Sequence, residues 1–226
     1  MSGDLDEGIS SSKYKTAFRG KEGRAFEVAL EARRFEIQMY WTRTAYFWTI
    51  SAAALAGFFA LEAQDKVNPI YPFSVSCIGA VLALGWGLAN KGSKYWHENW
   101  EHHVQLLEDS IVGPLHKTLV YRPAEPLRMR RDFFSQVLTG PAEFSVSKIN
   151  SIFSWFFFVV WLVLVVLTVP KAAPCAEYVF DYRYALMGAV SIVFAIALLW
   201  LGRSWLKDQE HWARAFRGRI VRKNDT

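Results

Sequence analysis

The sequence predicts an all-α, polytopic membrane protein with four transmembrane helices and long cytoplasmic helical extensions. Three observations lead to this fold class. Four stretches of the chain are apolar and uncharged, the basic residues are distributed very unequally between the segments that separate them, and those segments show helical amphipathic patterns. The chain has 226 residues, 52% of them hydrophobic, and a formal net charge of +5.

The most apolar stretch is residues 151–170, SIFSWFFFVVWLVLVVLTVP, which contains no charged residue and no glycine. A helix needs about 20 apolar residues to cross a bilayer core. A soluble core helix of this length would have a polar face, and this stretch has none. Three further uncharged stretches, at 45–61, 73–90 and 184–202, predict the other spans. The aromatic side chains of 156–158 and Trp161 favour contact of the third span with lipid.

The distribution of lysine and arginine predicts the orientation. Residues 1–44, 91–150 and 203–226 contain 23 of the 26 basic residues, whereas the loops 62–72 and 171–183 contain three. Cytoplasmic segments of membrane proteins are enriched in lysine and arginine. Both termini and the long middle segment are therefore predicted to be cytoplasmic.

Basic residues next to the spans indicate anionic lipid as the partner, rather than nucleic acid. Several of the ten tryptophans also lie near span ends, where an amphipathic ring prefers the headgroup layer. The predicted lipid contacts are Arg43, Lys91, Lys94, Lys148, Arg203 and Lys207.

The chain divides into six predicted segments. They are a disordered N-terminal tail (1–20), a cytoplasmic helix leading into the membrane (21–44), a first transmembrane hairpin (45–91), a cytoplasmic helical segment (92–150), a second transmembrane hairpin (151–203) and a basic amphipathic cytoplasmic tail (204–226). Gly113 and Pro114 are expected to end or kink the helix that leaves the second span. A loop around Pro123 and a short helix at 128–138 are expected further on. Cys77 and Cys175 are not expected to pair.

Small residues in the first two spans predict close helix packing. Gly79, Ala83 and Gly87 follow one another at intervals of four in the second span, and the first span is rich in alanine. Small residues on one helix face let two backbones approach closely within a bilayer. We expect the first and second spans to pack tightly as a hairpin.

An apolar stripe follows the second span. It consists of Trp96, Trp100, Val104, Leu107 and Ile111, at helical spacing. Such a stripe needs a partner when the helix extends into water. The expected partner is the helix of residues 22–44 or a neighbouring subunit.

A cluster of potential metal ligands lies beside this stripe. His97 and Glu101, like Glu98 and His102, are four residues apart and share a helix face, a spacing that can hold a metal ion. The metalloprotease pattern HExxH fails, because residue 101 is glutamate. A solvated, salt-bridged helix surface is the more ordinary interpretation. We therefore predict no metal site, with these residues as the weak candidates.

The sequence predicts neither an enzyme nor a coupled transporter. Nucleophile-elbow, phosphate-binding-loop and dinucleotide-binding motifs are absent, and no cofactor is implied. The four spans contain no Asp, Glu, Lys, Arg or His, whereas coupled transporters place ionisable residues there. A channel between subunits, lined by small residues and by Ser51 or Ser191, is the alternative that this pattern allows.

Three motifs together resemble the RipA family of octameric bacterial membrane proteins, over roughly residues 26–165. The first is Trp41 with Arg43 before the first span, the second is the run GSKYW at 92–96 followed by Trp100 and Glu101, and the third is SVSK at 145–148. The resemblance implies a homo-octamer in the bacterial cytoplasmic membrane, of unsettled molecular activity. It implies no catalytic residues.

The leading hypothesis is a homo-oligomeric, octameric inner-membrane protein with a structural, envelope-maintenance or stress-related role. One alternative is an ion or small-solute channel at the oligomer axis. Another is a metal-dependent membrane enzyme that uses the cluster His97–His103. The predicted partners are further copies of the chain and membrane lipids.

Overall fold

The structure, a computed structural model, describes residues 11–118, 144–169 and 181–203. All regular elements in these ranges are helices. They are α1 (Ser11–Ala17), α2 (Glu22–Glu62), α3 (Ile70–Leu107), a short 3₁₀ helix (Glu108–Ser110), α4 (Val146–Thr168) and α5 (Tyr182–Trp200).

Four helices, α2 to α5, are long and apolar enough to cross a membrane. The first two contain the first two predicted stretches, and α4 and α5 cover the third and fourth as far as Thr168 and Trp200, so the all-α polytopic fold class is confirmed. The third stretch ends at residue 170, beyond the described part of α4. The predicted cytoplasmic position of the extensions stays a prediction.

Local chemistry sets the ends of the helices. Gly20 adopts a positive φ of 75° in the turn between α1 and α2, a backbone conformation that glycine adopts without steric cost. At the start of α3, the Asn68 side chain accepts a hydrogen bond of 3.1 Å from the backbone amide of Ile70. The side chains of Ser145 and Asp181 accept from amides in the first turns of α4 and α5. These caps satisfy donors that a helix N-terminus otherwise leaves free.

Part of the predicted N-terminal tail, residues 1–20, forms a helix. Residues 11–17 form α1, and Tyr14 within it is 5% exposed. The reason is an aromatic pair: the rings of Tyr14 and Phe18 lie 4.8 Å apart and pack with residues far along the chain. A short polar segment with two aromatic residues one turn apart can thus gain enough burial to order.

Two predicted boundaries fall inside continuous helices. Residues 44 and 91 were predicted to separate cytoplasmic from membrane segments, but α2 and α3 run through them without interruption. Gly113 and Pro114 were expected to end the helix after the second span, and α3 with its 3₁₀ turn does end shortly before them. The predicted loop near Pro123, the helix at 128–138, Cys175 and the tail from 204 lie outside the described residues.

The chain folds as two compact units. Of the described residues, 11–36 and 96–118 belong to the first unit, and 37–95, 144–169 and 181–203 belong to the second. The core of the first unit is built from α1, α2 and α3, around Tyr14, Phe26, Ala29, Val104 and Leu107.

The second unit has two buried clusters. One lies between α2, α3 and α4, around Phe58, Ala83 and Trp161. The other lies where the first turns of α3 meet α4 and α5, around Phe73 and Cys77.

Candidate assembly and lipid-contact sites

The apolar stripe after the second span finds its partner within the same chain. Val104 is fully buried and Leu107 is 4% exposed, and both pack with Phe26 and Ala29 of α2. Trp100 is half-buried against the same core. The helix of residues 22–44 was one of the two expected partners.

The two ends of the stripe behave differently from its centre. Trp96 is half-buried, and Ile111 lies beyond the 3₁₀ helix and is 39% exposed. The helical spacing that placed Ile111 on the stripe does not hold there, because α3 ends at Leu107. Because Leu107 is buried in the core of the first unit, a charged substitution there should disrupt that unit itself, rather than a contact between copies.

A polar clasp fastens α1 to the end of α3. The Tyr14 hydroxyl lies 2.5 Å from Nδ1 of His103. Asp109 accepts from Lys15 at 2.8 Å and from Lys117 at 2.6 Å. These two lysines lower the pKa of Asp109 through their hydrogen bonds. Sequence reasoning missed the clasp, since its partners are about 90 residues apart.

A buried carboxylate lies beside the clasp. The Glu108 side chain is fully buried. Its Oε2 accepts from the His116 amide at 2.7 Å and lies 2.8 Å from Nδ1 of the same residue. This pairing holds the 113–118 turn against the core, because an unpaired buried carboxylate would be costly.

The weak metal candidates do not converge. In the described ranges no three His, Cys, Asp or Glu side chains lie close enough to hold a metal ion. Of the four, His102 and Glu98 are exposed and Glu101 accepts from Gln105 at 3.5 Å. The neighbouring His103 is engaged by Tyr14.

In the second unit, the small-residue face of α3 packs against α4. A Cβ atom added to Gly79 would overlap the indole ring of Trp161, and one added to Gly87 would lie 3.4 Å from the ring of Trp155. Ala83, between them, is fully buried. This face of α3 therefore lies against α4 within the protomer.

The expectation of a tight hairpin between the first two spans did not include the contact between α3 and α4 that the structure shows. The two glycines accommodate large aromatic rings from α4. Trp161 itself is 1% exposed and does not face lipid, which corrects its predicted position. Phe156 is 57% exposed, in line with the prediction for that residue.

A cluster of uncharged polar groups joins α2, α3 and α4. The Asn150 side-chain nitrogen lies 2.7 Å from the Tyr40 hydroxyl, and 3.1 Å from both the Thr44 hydroxyl and Oδ1 of Asn90. Thr44, Asn90 and Asn150 are all at least nine-tenths buried. Two buried side-chain nitrogens in this part of α3, Nδ2 of Asn90 and the indole nitrogen of Trp86, have no hydrogen-bond partner among the described residues.

Four of the six predicted lipid-contact residues lie near this polar cluster in sequence, and those that the structure describes differ in their surroundings. Arg43 donates to the Ser93 hydroxyl at 2.6 Å. The Lys91 ammonium lies 5.2 Å from the centroid of the Trp155 ring. Lys148 and Arg203 are exposed and Lys94 is half-buried. Lys207 lies outside the described residues.

The exposed faces of the spans differ in side-chain size. On α2 an exposed stripe consists almost entirely of small side chains: Ala45, Thr49, Ala52, Ala53, Ala56 and Ala60. On α4 and α5 the exposed side chains are mostly large and apolar, among them Val163, Val166, Ile192 and Phe194. Ser51, one of the two serines expected to line a channel, is 3% exposed within the protomer.

These elements define a multi-pass helical membrane protein, with four apolar helices of spanning length. Residues 24–170, well over half of the chain, match the model of the octameric membrane protein family (8xMP), and the chain belongs to this family. The match confirms the predicted family of octameric membrane proteins. Neither a search of curated proteins nor a search of solved structures returns a match.

Proposed function

We propose that the protein is a homo-octamer of the bacterial cytoplasmic membrane, with both termini in the cytoplasm and a structural or envelope-maintenance role. The family is octameric by description. The observation that supports a defined interface between copies is the exposed small-residue stripe on α2. No catalytic role is part of this proposal.

The stripe suits a helix–helix contact better than contact with lipid. Within a bilayer, association depends on close packing, since lipid tails are as apolar as the side chains they replace. A helix face lined with alanine allows a second helix to approach closely. The larger residues Tyr46 and Phe59 flank the stripe and are 65% and 61% exposed. They lie on opposite sides of the stripe, and a helix of a second copy can pack along the small residues between them.

The faces of α4 and α5 suit lipid. Their exposed side chains are branched or aromatic, and an acyl-chain environment accommodates such surfaces without a shape-matched partner. In the proposed assembly, α2 therefore lies at the contact between copies, while α4 and α5 are directed toward the bilayer.

The test is native mass spectrometry of the gently extracted complex, with two matched variants. Ala56→Phe places a large ring on the small-residue stripe and is expected to reduce the copy number. Val163 lies on α4 and is 52% exposed. Val163→Phe makes a similar increase in size there and is expected to leave the complex intact.

Three outcomes are informative. Eight copies in the natural protein and fewer in Ala56→Phe support the proposal. A monomer or dimer in the natural protein contradicts the oligomeric function. Eight copies in both variants would place the interface elsewhere and remove α2 from it.

A further inference from the structure

We propose that Lys91, Lys148 and Trp155 form a binding site for the phosphate of an anionic phospholipid, whose acyl chains lie along the exposed face of α4. The proposal rests on the function above in one respect, namely that this end of the spans faces the anionic leaflet. Lipid contact was expected of six basic residues, and the structure selects two of them and adds an aromatic residue.

The geometry of α3 brings one lysine to the aromatic ring. Gly87 and Lys91 are one turn apart and share a helix face. The Trp155 ring covers Gly87, which has no side chain to hold it off, and the Lys91 ammonium lies 5.2 Å from its centroid. The ring thus keeps the ammonium group close to the α3–α4 contact, as a cation–π interaction does.

The geometry of α4 adds the second lysine. Lys148 is seven residues before Trp155, so two helical turns place both on one face of α4. Lys148 is exposed, and its own amide is capped by Ser145. Two ammonium groups beside an interfacial tryptophan are complementary to a phosphate at the headgroup level.

The rest of this face accounts for the choice of a phospholipid over a free phosphate. Beyond Lys148, the same side of α4 presents Ile152, Phe156 and Val159, which are 67%, 57% and 56% exposed. A shallow apolar groove continues along it, lined by Val159, Leu162, Val163, Val166 and Leu167. A charged end followed by a long apolar strip matches an amphiphile.

The other predicted basic residues fit the site less well. Arg43 donates to Ser93, and its guanidinium is therefore already engaged. Arg203 follows α5, beyond the helix end at Trp200. Neither is part of the proposed site.

The experiment is native mass spectrometry of the detergent-solubilised complex titrated with phosphatidylglycerol or phosphatidylcholine. The double variant Lys91→Gln with Lys148→Gln is compared with Lys21→Gln with Lys66→Gln, which removes the same charge from two exposed lysines elsewhere. The dissociation constant for phosphatidylglycerol should rise roughly fivefold for each lysine of the site that is removed. The control should bind as the natural protein does, and phosphatidylcholine should bind less in every case.

Three results would overturn the site: unchanged phosphatidylglycerol binding in the Lys91 and Lys148 variant, an equal loss in the control, or equal retention of the two lipids. Displacement of the lipid by inorganic phosphate at equal concentration would identify a free-phosphate site instead. The same spectra report the copy number. Failure of the octamer and failure of the lipid site are therefore seen separately.

Discussion

Asn150 is the residue on which the polar contacts among three helices converge. Replacing it with alanine removes hydrogen bonds to Tyr40, Thr44 and Asn90 and leaves buried groups without a partner. Hydrogen bonds between membrane helices contribute about 0.6 kcal/mol each on average. We predict that Asn150→Ala lowers the free energy of unfolding by about 1–2 kcal/mol, measured by denaturation in detergent.

Ser154→Ala is the matched control for this change. Ser154 is fully buried one turn further along α4, but its hydroxyl donates within its own helix, to the Ser151 carbonyl at 2.7 Å. The control should cost less than Asn150→Ala. Equal losses would mean that the cluster contributes through packing alone.

The contact between Tyr14 and His103 predicts a dependence on pH. Burial, and to a lesser degree the charge of His102, lowers the pKa of His103, and burial raises the pKa of Tyr14 to about 12. A depressed histidine pKa stabilises the fold above the ordinary value of about 6.5, and this contribution is lost as pH falls through the folded value. The raised tyrosine pKa stabilises below pH 10, and that contribution is lost on passing to higher pH.

The clasp should therefore be tightest between about pH 6.5 and 10. The measurement is amide hydrogen exchange of residues 11–19, corrected for the intrinsic effect of pH on exchange. Exchange should increase on acidification below this window. His103→Gln should abolish this pH dependence of exchange. His102 is an exposed neighbour, and His102→Gln should retain the dependence. A dependence that persists in His103→Gln would assign it to another group.

At the scale of the elements, the contact between α3 and α4 depends on the absence of a side chain at Gly79. The Trp161 ring occupies the volume that a Cβ atom would need, and this ring is buried. Gly79→Ala should cost about 1–3 kcal/mol in unfolding free energy, the usual range for overpacking a core. Gly85→Ala provides the control on the same helix, since its nearest neighbour would lie 3.9 Å away.

A second change makes this prediction specific. Trp161→Leu, combined with Gly79→Ala, should recover part of the loss, because the smaller side chain vacates the overlapping volume. Thermal unfolding of the natural protein, the two single variants and the double variant in one detergent forms a double-mutant cycle. Additive losses would show that the two residues do not interact.

Helix identity and spacing were predictable at this scale, whereas pairing was not. Apolar length alone located all four spans, and the four-residue interval of Gly79, Ala83 and Gly87 located a packing face. The partner of that face could not be deduced, since both neighbouring spans are apolar around their whole circumference. The Tyr14 contact was also missed, because no periodic signal connects positions 14 and 103.

At the scale of the whole molecule, the unequal charge distribution carries information that the contacts do not. Structure within one chain shows which helices are long and apolar enough to span and which side chains meet. The side of the membrane on which each end lies depends instead on the basic residues that flank the spans. Lys91 and Lys148 acquire their proposed role from that arrangement, because it places them at the anionic leaflet.

The predicted orientation can be tested by labelling single cysteines in intact cells. In a background with both native cysteines replaced, Lys66→Cys lies in the loop between α2 and α3, and Lys117→Cys lies beyond α3. A membrane-impermeant maleimide should label the first from outside and the second only after the membrane is opened. The loop around Lys66 contains one basic residue and the segment around Lys117 contains eight, so the charge rule separates them clearly. Labelling in the reverse order would invert the topology and would direct Lys91 and Lys148 to the outer leaflet.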